Sequence, residues 1–206
     1  MVIGVTGGVG AGKSTILKIL EKRFGAHLIM ADDVAKELME PGGASYEAVV
    51  AAFGEEILVA ADPDDVSASR PIDRAKLASI VFNDDDKLEL VNSLTHPKVK
   101  EEILARIARF YEEDENALIA VEAALLIEAG YDDILDTLWI VDADPEVRIE
   151  RLMRDRGYSR EKALSIMDNQ LSPEEFRAHG DFVVDNSGTH EDAEAQIEAY
   201  FKKGER

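Results

Sequence analysis

The chain has 206 residues, 46% of them hydrophobic, which suits one domain with a substantial core and room for an inserted sub-domain. Its formal net charge of −20, from 43 acidic against 23 basic side chains, excludes a general nucleic-acid binder, because phosphate contacts need clustered Lys and Arg; the excess acid reads as a solvated surface. It has no cysteine, which excludes disulfides and cysteine-ligated zinc and is compatible with a reducing cytosol.

The first apolar run, Val2–Thr6, reads as a buried strand. Gly7 to Ser14 then spell G-G-V-G-A-G-K-S, a complete G-x-x-x-x-G-K-[ST] phosphate loop, and Ser14–Leu20 continues as a helix. Strand, loop and helix in that order are the context the motif requires. Gly7, Gly8, Gly10 and Gly12 let the backbone curl so that successive N–H groups converge on one anion. The helix starting near Lys13 turns its positive end to the same phosphates. The expected ATP-binding set is Gly8, Val9, Gly10, Ala11, Gly12, Lys13, Ser14 and Thr15. Lys13 brings a point charge to the β- and γ-phosphates, and the Ser14 hydroxyl ligates the Mg²⁺ that accompanies ATP.

A second strand is predicted at Ala26–Met30, followed at once by Asp32 and Asp33. In open parallel sheets ligands bind beyond the carboxyl ends of the strands, so these acids fall where an acceptor hydroxyl must be oriented and deprotonated. Asp32 suits a general base or the N-cap of the following helix, and Asp33 suits a cap equally. From Asp32 to about Asp114 the chain reads as several helices. The turn Glu40-Pro41-Gly42-Gly43 and the loop Ala60–Pro71 break them, and the helical stretch Leu88–Tyr111 is expected to be punctured at His96-Pro97. The stretch is too long for a simple crossover and reads as an inserted helical sub-domain, a place for a second substrate.

Leu118–Glu122 and Thr137–Asp142 read as further buried strands, with Trp139 as core filling. Glu122 suits either the outer shell of a magnesium site or a strand-end carboxylate facing water. Residues 144–163 gather Arg148, Arg151, Arg154, Arg156, Arg160 and Lys162 among interleaved acids. Arginine forks match phosphate oxygens, so the segment reads as a lid over ATP; a surface helix laced with ion pairs is the alternative. With few large apolar side chains to anchor it, a lid here would be mobile. Asp181–Asp185 is the fifth strand. Asn186-Ser187-Gly188 after it suits a turn backing the adenine, or a plain loop capped at Thr189, and Glu191–Lys203 reads as an amphipathic helix. The four histidines stand at 27, 96, 179 and 190 without ligand spacing, so no dedicated protein metal site is expected. The start lacks the pattern of a signal peptide, and no window reaches the roughly 18 apolar residues of a membrane span. The chain is expected to be soluble and cytoplasmic, a monomer or weak homo-oligomer, with neither nucleic acid nor membrane as partner.

Several segments, taken in order, resemble the dephospho-coenzyme A kinase family: G-V-T-G-G-V-G-A-G-K-S-T at 4–15, A-D-D-V-A-K-E-L-M-E-P-G at 31–42, L-T-H-P at 94–97, E-A-A-L-L-I-E at 122–128, N-Q-L-S-P-E-E-F at 169–176 and D-F-V-V-D-N-S-G at 181–188. The resemblance implies a P-loop α/β/α fold of three layers on a five-stranded parallel sheet. Its core would be 1–30, 113–144 and 176–206, with a coenzyme A-binding helical insert at 31–112 and a lid at 145–175. It implies transfer of the γ-phosphoryl of ATP to the 3′-hydroxyl of dephospho-coenzyme A, with Mg²⁺ as cofactor. Asp32 and Lys13 would be catalytic. Arg148, Arg151 and Asn186 would join the loop in binding ATP, and Asp32, His96, Glu122 and Leu125 would contact dephospho-coenzyme A. Met30, Thr95 and Ile166 depart from the family's usual residues. The alternatives are another small kinase of this class, acting on a nucleoside, a nucleotide or a shikimate-like alcohol, and an ATP-dependent switch protein.

Overall fold

Strands β1 (Val2–Thr6), β2 (His27–Met30), β3 (Ile119–Glu122), β4 (Thr137–Asp142) and β5 (Phe182–Asp185) form one sheet in the order β2-β3-β1-β4-β5. The structure is a computed structural model that describes residues 1–60, 69–82, 84–123, 126, 131 and 133–204. β1 pairs in parallel with β3 and with β4, and β4 with β5. The three central strands are continuous apolar runs because helices flank them: β1 and β3 are buried throughout, and β4 in all but its last residue. With β1 at the centre and the chain winding to either side of it, the carboxyl ends of the strands open a crevice where the strand order reverses. All five strands lie within a residue of their predicted bounds.

Helix α1 (Lys13–Phe24) leaves the phosphate loop and ends at Gly25, whose left-handed backbone (φ 70°) lets its N–H reach back to the Glu21 and Leu20 carbonyls. It buries Ile16, Leu17, Ile19 and Leu20 and lies against β1 and α9 (His190–Gly204). α9 starts after Thr189, whose hydroxyl accepts from the Asp192 N–H at 3.2 Å, while Asp192 accepts from the Thr189 N–H at 2.9 Å. Trp139 is fully buried and fills the core as expected, with the Phe182, Tyr200 and Phe201 rings at 4.9, 4.8 and 5.9 Å.

The chain divides into two compact units, Met1–Ile29 with Arg109–Arg206, and Met30–Ala108. The second is built from α2 (Ala31–Leu38), α3 (Tyr46–Phe53), a 3₁₀ turn at Glu55–Ile57, α4 (Arg74–Val81) and most of α5 (Asp85–Glu113). These elements bury an apolar cluster that includes Tyr46, Val49, Phe53, Ile57, Leu77 and Val91. Residues 61–68 of the predicted Ala60–Pro71 loop lie outside the described residues. Its flanks are joined by a bridge between Leu58 and Ile72.

One local expectation fails. α5 is unbroken at His96-Pro97. A proline ring there removes the bond to the Ser93 carbonyl and crowds it, at a cost of about 3 kcal/mol. Ser93 and Pro97 are both exposed, which leaves that carbonyl open to solvent and lowers the cost of the lost bond. On the opposite side Val91, Thr95, Val99, Ile103 and Ile107 recur every fourth residue and stay buried across the proline. The packing of that stripe outweighs the local penalty.

Helices α6 (Pro145–Arg156), α7 (Arg160–Asp168) and α8 (Pro173–His179) fill the segment before β5. They are better anchored than the sequence implies: Ile149, Leu152 and Ala163 form a buried cluster, with Val9 of the phosphate loop, Tyr158 and Met167 packed on it.

Replacing Trp139 by Ala should cost about 3–5 kcal/mol of stability, the usual cost of emptying a fully buried aromatic site. Urea unfolding followed by far-UV circular dichroism measures it. A loss under about 1.5 kcal/mol would mean that the ring cluster collapses into the space.

Candidate active site

β1 delivers the phosphate loop to the middle of the sheet's carboxyl edge. A loop that turns its amides toward one anion turns carbonyls the other way, and buried carbonyls need donors. Four are supplied by side chains. Lys13 Nζ donates to the Gly7 carbonyl at 2.8 Å. Arg148 Nε donates to the Val9 carbonyl at 2.9 Å. Arg151 Nη1 donates to the Ala11 carbonyl at 3.1 Å. Asn186 Nδ2 donates to the same oxygen at 2.7 Å. The loop glycines make room for these groups. A Cβ on Gly8 would stand 2.3 Å from Arg148 Nη2, and one on Gly12, where φ is +90°, would stand 2.2 Å from Asn186 Nδ2.

The donors are themselves held. Asn186, only 3% exposed, follows β5 and donates its backbone N–H to the Asp142 carbonyl at 2.8 Å. Arg151 Nη2 donates to the Asn186 carbonyl at 2.7 Å, so one guanidinium joins the loop to the end of β5. Arg148 is 5% exposed. Burial pushes its guanidinium below the ordinary arginine range, and the charge of Asp142 opposes the shift. An arginine stays protonated at neutral pH even so.

The basic segment therefore splits. Arg148 and Arg151 reach the phosphate loop, while Arg154 pairs with Asp155, Arg160 pairs with Glu146, and Lys162 lies 4.2 Å over the Tyr158 ring. The ion-paired surface reading fits Arg154 and Arg160. Of the other expected ATP-site residues, Ser14 is exposed in the first turn of α1, and Gly10, Gly12, Lys13 and Thr15 are half-buried. Glu122 ends β3 opposite Val5 and is buried, so it does not face water.

Asp32, Asp33 and His96 belong to the Met30–Ala108 unit, and the phosphate loop, Arg148, Arg151, Asn186 and Glu122 to the other. α2 begins at Ala31 with Met30 as its N-cap and no side-chain cap bond, so neither aspartate is the cap. Both are exposed in the first turn, where acids suit the helix dipole, and Asp33 pairs with Lys36 at 2.6 Å. His96 is exposed on α5. Leu125 lies outside the described residues. The sequence reading quoted Gln170 only within the segment 169–176 and gave it no role. In the loop between α7 and α8, its Oε1 accepts from the Val9 N–H at 2.8 Å. Its signal was faint: a single carboxamide ahead of the Ser172 capping box.

Among the described residues no helix is long and apolar enough to cross a membrane, and no group of three or more His, Cys, Asp or Glu is placed to hold a metal ion. The dephospho-CoA kinase family model matches residues 1–192. The chain belongs to this family. It is 40% identical over 202 residues to a dephospho-CoA kinase of Geobacter sulfurreducens, covering 98% of each chain. The solved dephospho-CoA kinase from Campylobacter jejuni superposes with a TM-score of 0.70 at 25% identity, over 100% of this chain and 98% of that one. The shikimate kinase from Acinetobacter baumannii, with TM-score 0.54 at 13% identity over 98% of this chain and 93% of its own, shares the fold alone. Family membership thus separates the chain from the shikimate-like alternative, which the architecture by itself would not do.

The Gly12–Asn186 contact is testable by a double-mutant cycle. Gly12→Ala should be costly in the wild-type background and clearly less so with Asn186→Ala, a coupling of about 1–2 kcal/mol in urea unfolding. Additive costs, within about 0.5 kcal/mol, would show that the two residues do not constrain each other.

Proposed function

We propose that the protein is a dephospho-CoA kinase that transfers the γ-phosphoryl of ATP to the 3′-hydroxyl of the dephospho-CoA ribose, the last step of coenzyme A synthesis. The observation that carries this reading is the phosphate loop braced from behind by Arg148, Arg151 and Asn186, in a chain matching the family over nearly its whole length.

The ribose hydroxyl oxygen bonds to the γ-phosphorus as the bond to the β–γ bridging oxygen breaks. ADP leaves, and the hydroxyl proton goes to Asp32. The loop amides hold the phosphates in line, and Lys13 takes up charge as it develops in the transition state. Mg²⁺, bound with ATP, neutralises charge on the phosphate oxygens. Ser14 would hold it, because its exposed hydroxyl is a hard oxygen donor beside Lys13. Asp32 is supported as the base by its place at a strand end and by its freedom from a capping role. Residues 31–112 receive dephospho-CoA, with His96, Glu122 and Leu125 as contacts, and residues 145–175 cover the nucleotide. A cytoplasmic setting goes with an ATP-using chain that has no cysteine. Mass spectrometry of dephospho-CoA after incubation with ATP and Mg²⁺ should show the gain of one phosphoryl group. Consumption of ATP indifferent to dephospho-CoA would overturn the reading.

Lys13→Ala should lower kcat/KM by about 10²–10³ while the fold survives, because it removes about 3–4 kcal/mol of transition-state stabilisation. A folded variant keeping a third of wild-type turnover would exclude Lys13 from the chemistry. Asp32→Asn should lower kcat by about 10²–10⁴, the range of general base catalysis, with little change in either KM. Asp33→Asn, losing only a surface pair, should stay within about twofold of wild type. If Asp33→Asn is the worse of the two, the base has been assigned to the wrong acid.

A further inference from the structure

Gln170 occupies a position that neither the phosphate-loop motif nor the arginine segment accounts for. Its Oε1 accepts two hydrogen bonds: from the Val9 N–H at 2.8 Å, and from Arg148 Nη2 at 3.4 Å. Val9 belongs to the loop, and Arg148 already holds the Val9 carbonyl. Both faces of the Val9 residue are thereby fixed, its carbonyl by Arg148 and its amide by Gln170, while Gln170 and Arg148 also hold each other. This closes a ring of three hydrogen bonds at Val9. Gln170 lies between α7 and α8, where the Ser172 capping box and Gln170's own N–H to the Met167 carbonyl at 3.2 Å restrain the turn. Within that ring only the carboxamide oxygen meets both donors, which an apolar side chain of the same length cannot do.

We propose that Gln170 is a positioning residue for nucleotide binding: it holds the loop at Val9 and the Arg148 guanidinium in the conformation that receives phosphate. It touches no reacting atom and acts through Val9 and Arg148. A loop held in one shape recognises the phosphates of the ground state and of the transition state alike, so its loss is a loss of uniform binding and appears in KM and not in kcat. The kinetic consequence rests on the kinase reading above; the effect on the Val9 amide does not.

Gln170→Met keeps the length of the side chain and removes the acceptor. In the full chain, Val9 amide exchange followed by NMR should speed up about tenfold, with the Leu138–Val141 amides unchanged. The KM for ATP should rise about fivefold to tenfold, the size of one hydrogen bond, with kcat and the KM for dephospho-CoA within about twofold of wild type. Gln170→Glu retains an acceptor oxygen and should restore slow Val9 exchange. Unchanged Val9 exchange and ATP affinity in Gln170→Met would overturn the proposal. So would a Glu variant whose Val9 amide exchanges as fast as in the Met variant, or a loss spread evenly over kcat and both KM values. If the wild-type protein failed to phosphorylate dephospho-CoA, the kinase reading would fall, and Val9 exchange together with calorimetric ATP binding would still decide the role of Gln170.

Discussion

The structure depends on where the phosphate loop's carbonyls go. Collecting amides around an anion is impossible without presenting carbonyl oxygens on the other side. An unpaired buried carbonyl costs about 1–3 kcal/mol, enough to favour a different loop shape. The chain answers with donors from distant parts of the sequence: Arg148 and Arg151 on α6, and Asn186 at the end of β5. The sheet order explains how they arrive. β4 lies beside β1 and β5 beside β4, so whatever follows those two strands lands next to the loop that follows β1. The packing of Val9 on Ile149, Leu152 and Ala163 adds an apolar contact in the same place.

The same arrangement reconciles an acidic chain with an anionic substrate. A net charge of −20 would repel ATP if it acted as one field. At physiological salt, exposed charges are screened beyond about 8 Å, so what matters is the local set. Near the loop the cations Lys13, Arg148 and Arg151 outnumber the Asp142 carboxylate that acts on Arg148. Arginine is the suitable cation for the buried places. Its fork offers five donors, enough to serve a loop carbonyl and a second partner at once, and burial does not deprotonate it. Arg151 shows this directly, with one nitrogen on the Ala11 carbonyl and another on that of Asn186.

Much of this was legible in the sequence, for identifiable reasons. The five strands could be read because buried parallel strands are continuous apolar runs bounded by turn residues. The phosphate loop could be read because its glycines and Lys13 are fixed by backbone geometry and charge. What could not be read is long-range pairing. The arginines were visible as a basic group, and only the family resemblance singled out Arg148 and Arg151, because which of them reach the loop depends on α6 packing against it, which no local pattern encodes. Asn186 looked like a turn residue because its partner, the Ala11 carbonyl, lies 175 positions away. Gln170 was hidden in the same way. Pro97 misled in the opposite direction: the local rule was sound, and a buried stripe on the far side of the helix overrode it.

The division of labour follows from the covalent layout. The phosphate loop and the side chains that brace it sit on the unit that holds the sheet. Asp32 is the group that the proposed mechanism asks to act only as the hydroxyl proton leaves. It stands at the start of the other unit, two residues beyond Met30 at the end of β2. At no more than about 3.6 Å per residue, that tether keeps its backbone within about 7 Å of the strand end, however the rest of the helical unit is disposed. A base mounted deep in the insert would move with every change in that unit. Asp32 lies in the first turn of α2, so its covalent link to β2 bounds its distance from the end of that strand. In the mechanism proposed above, the base therefore stays close to the end of β2 whatever side chains the rest of the insert carries.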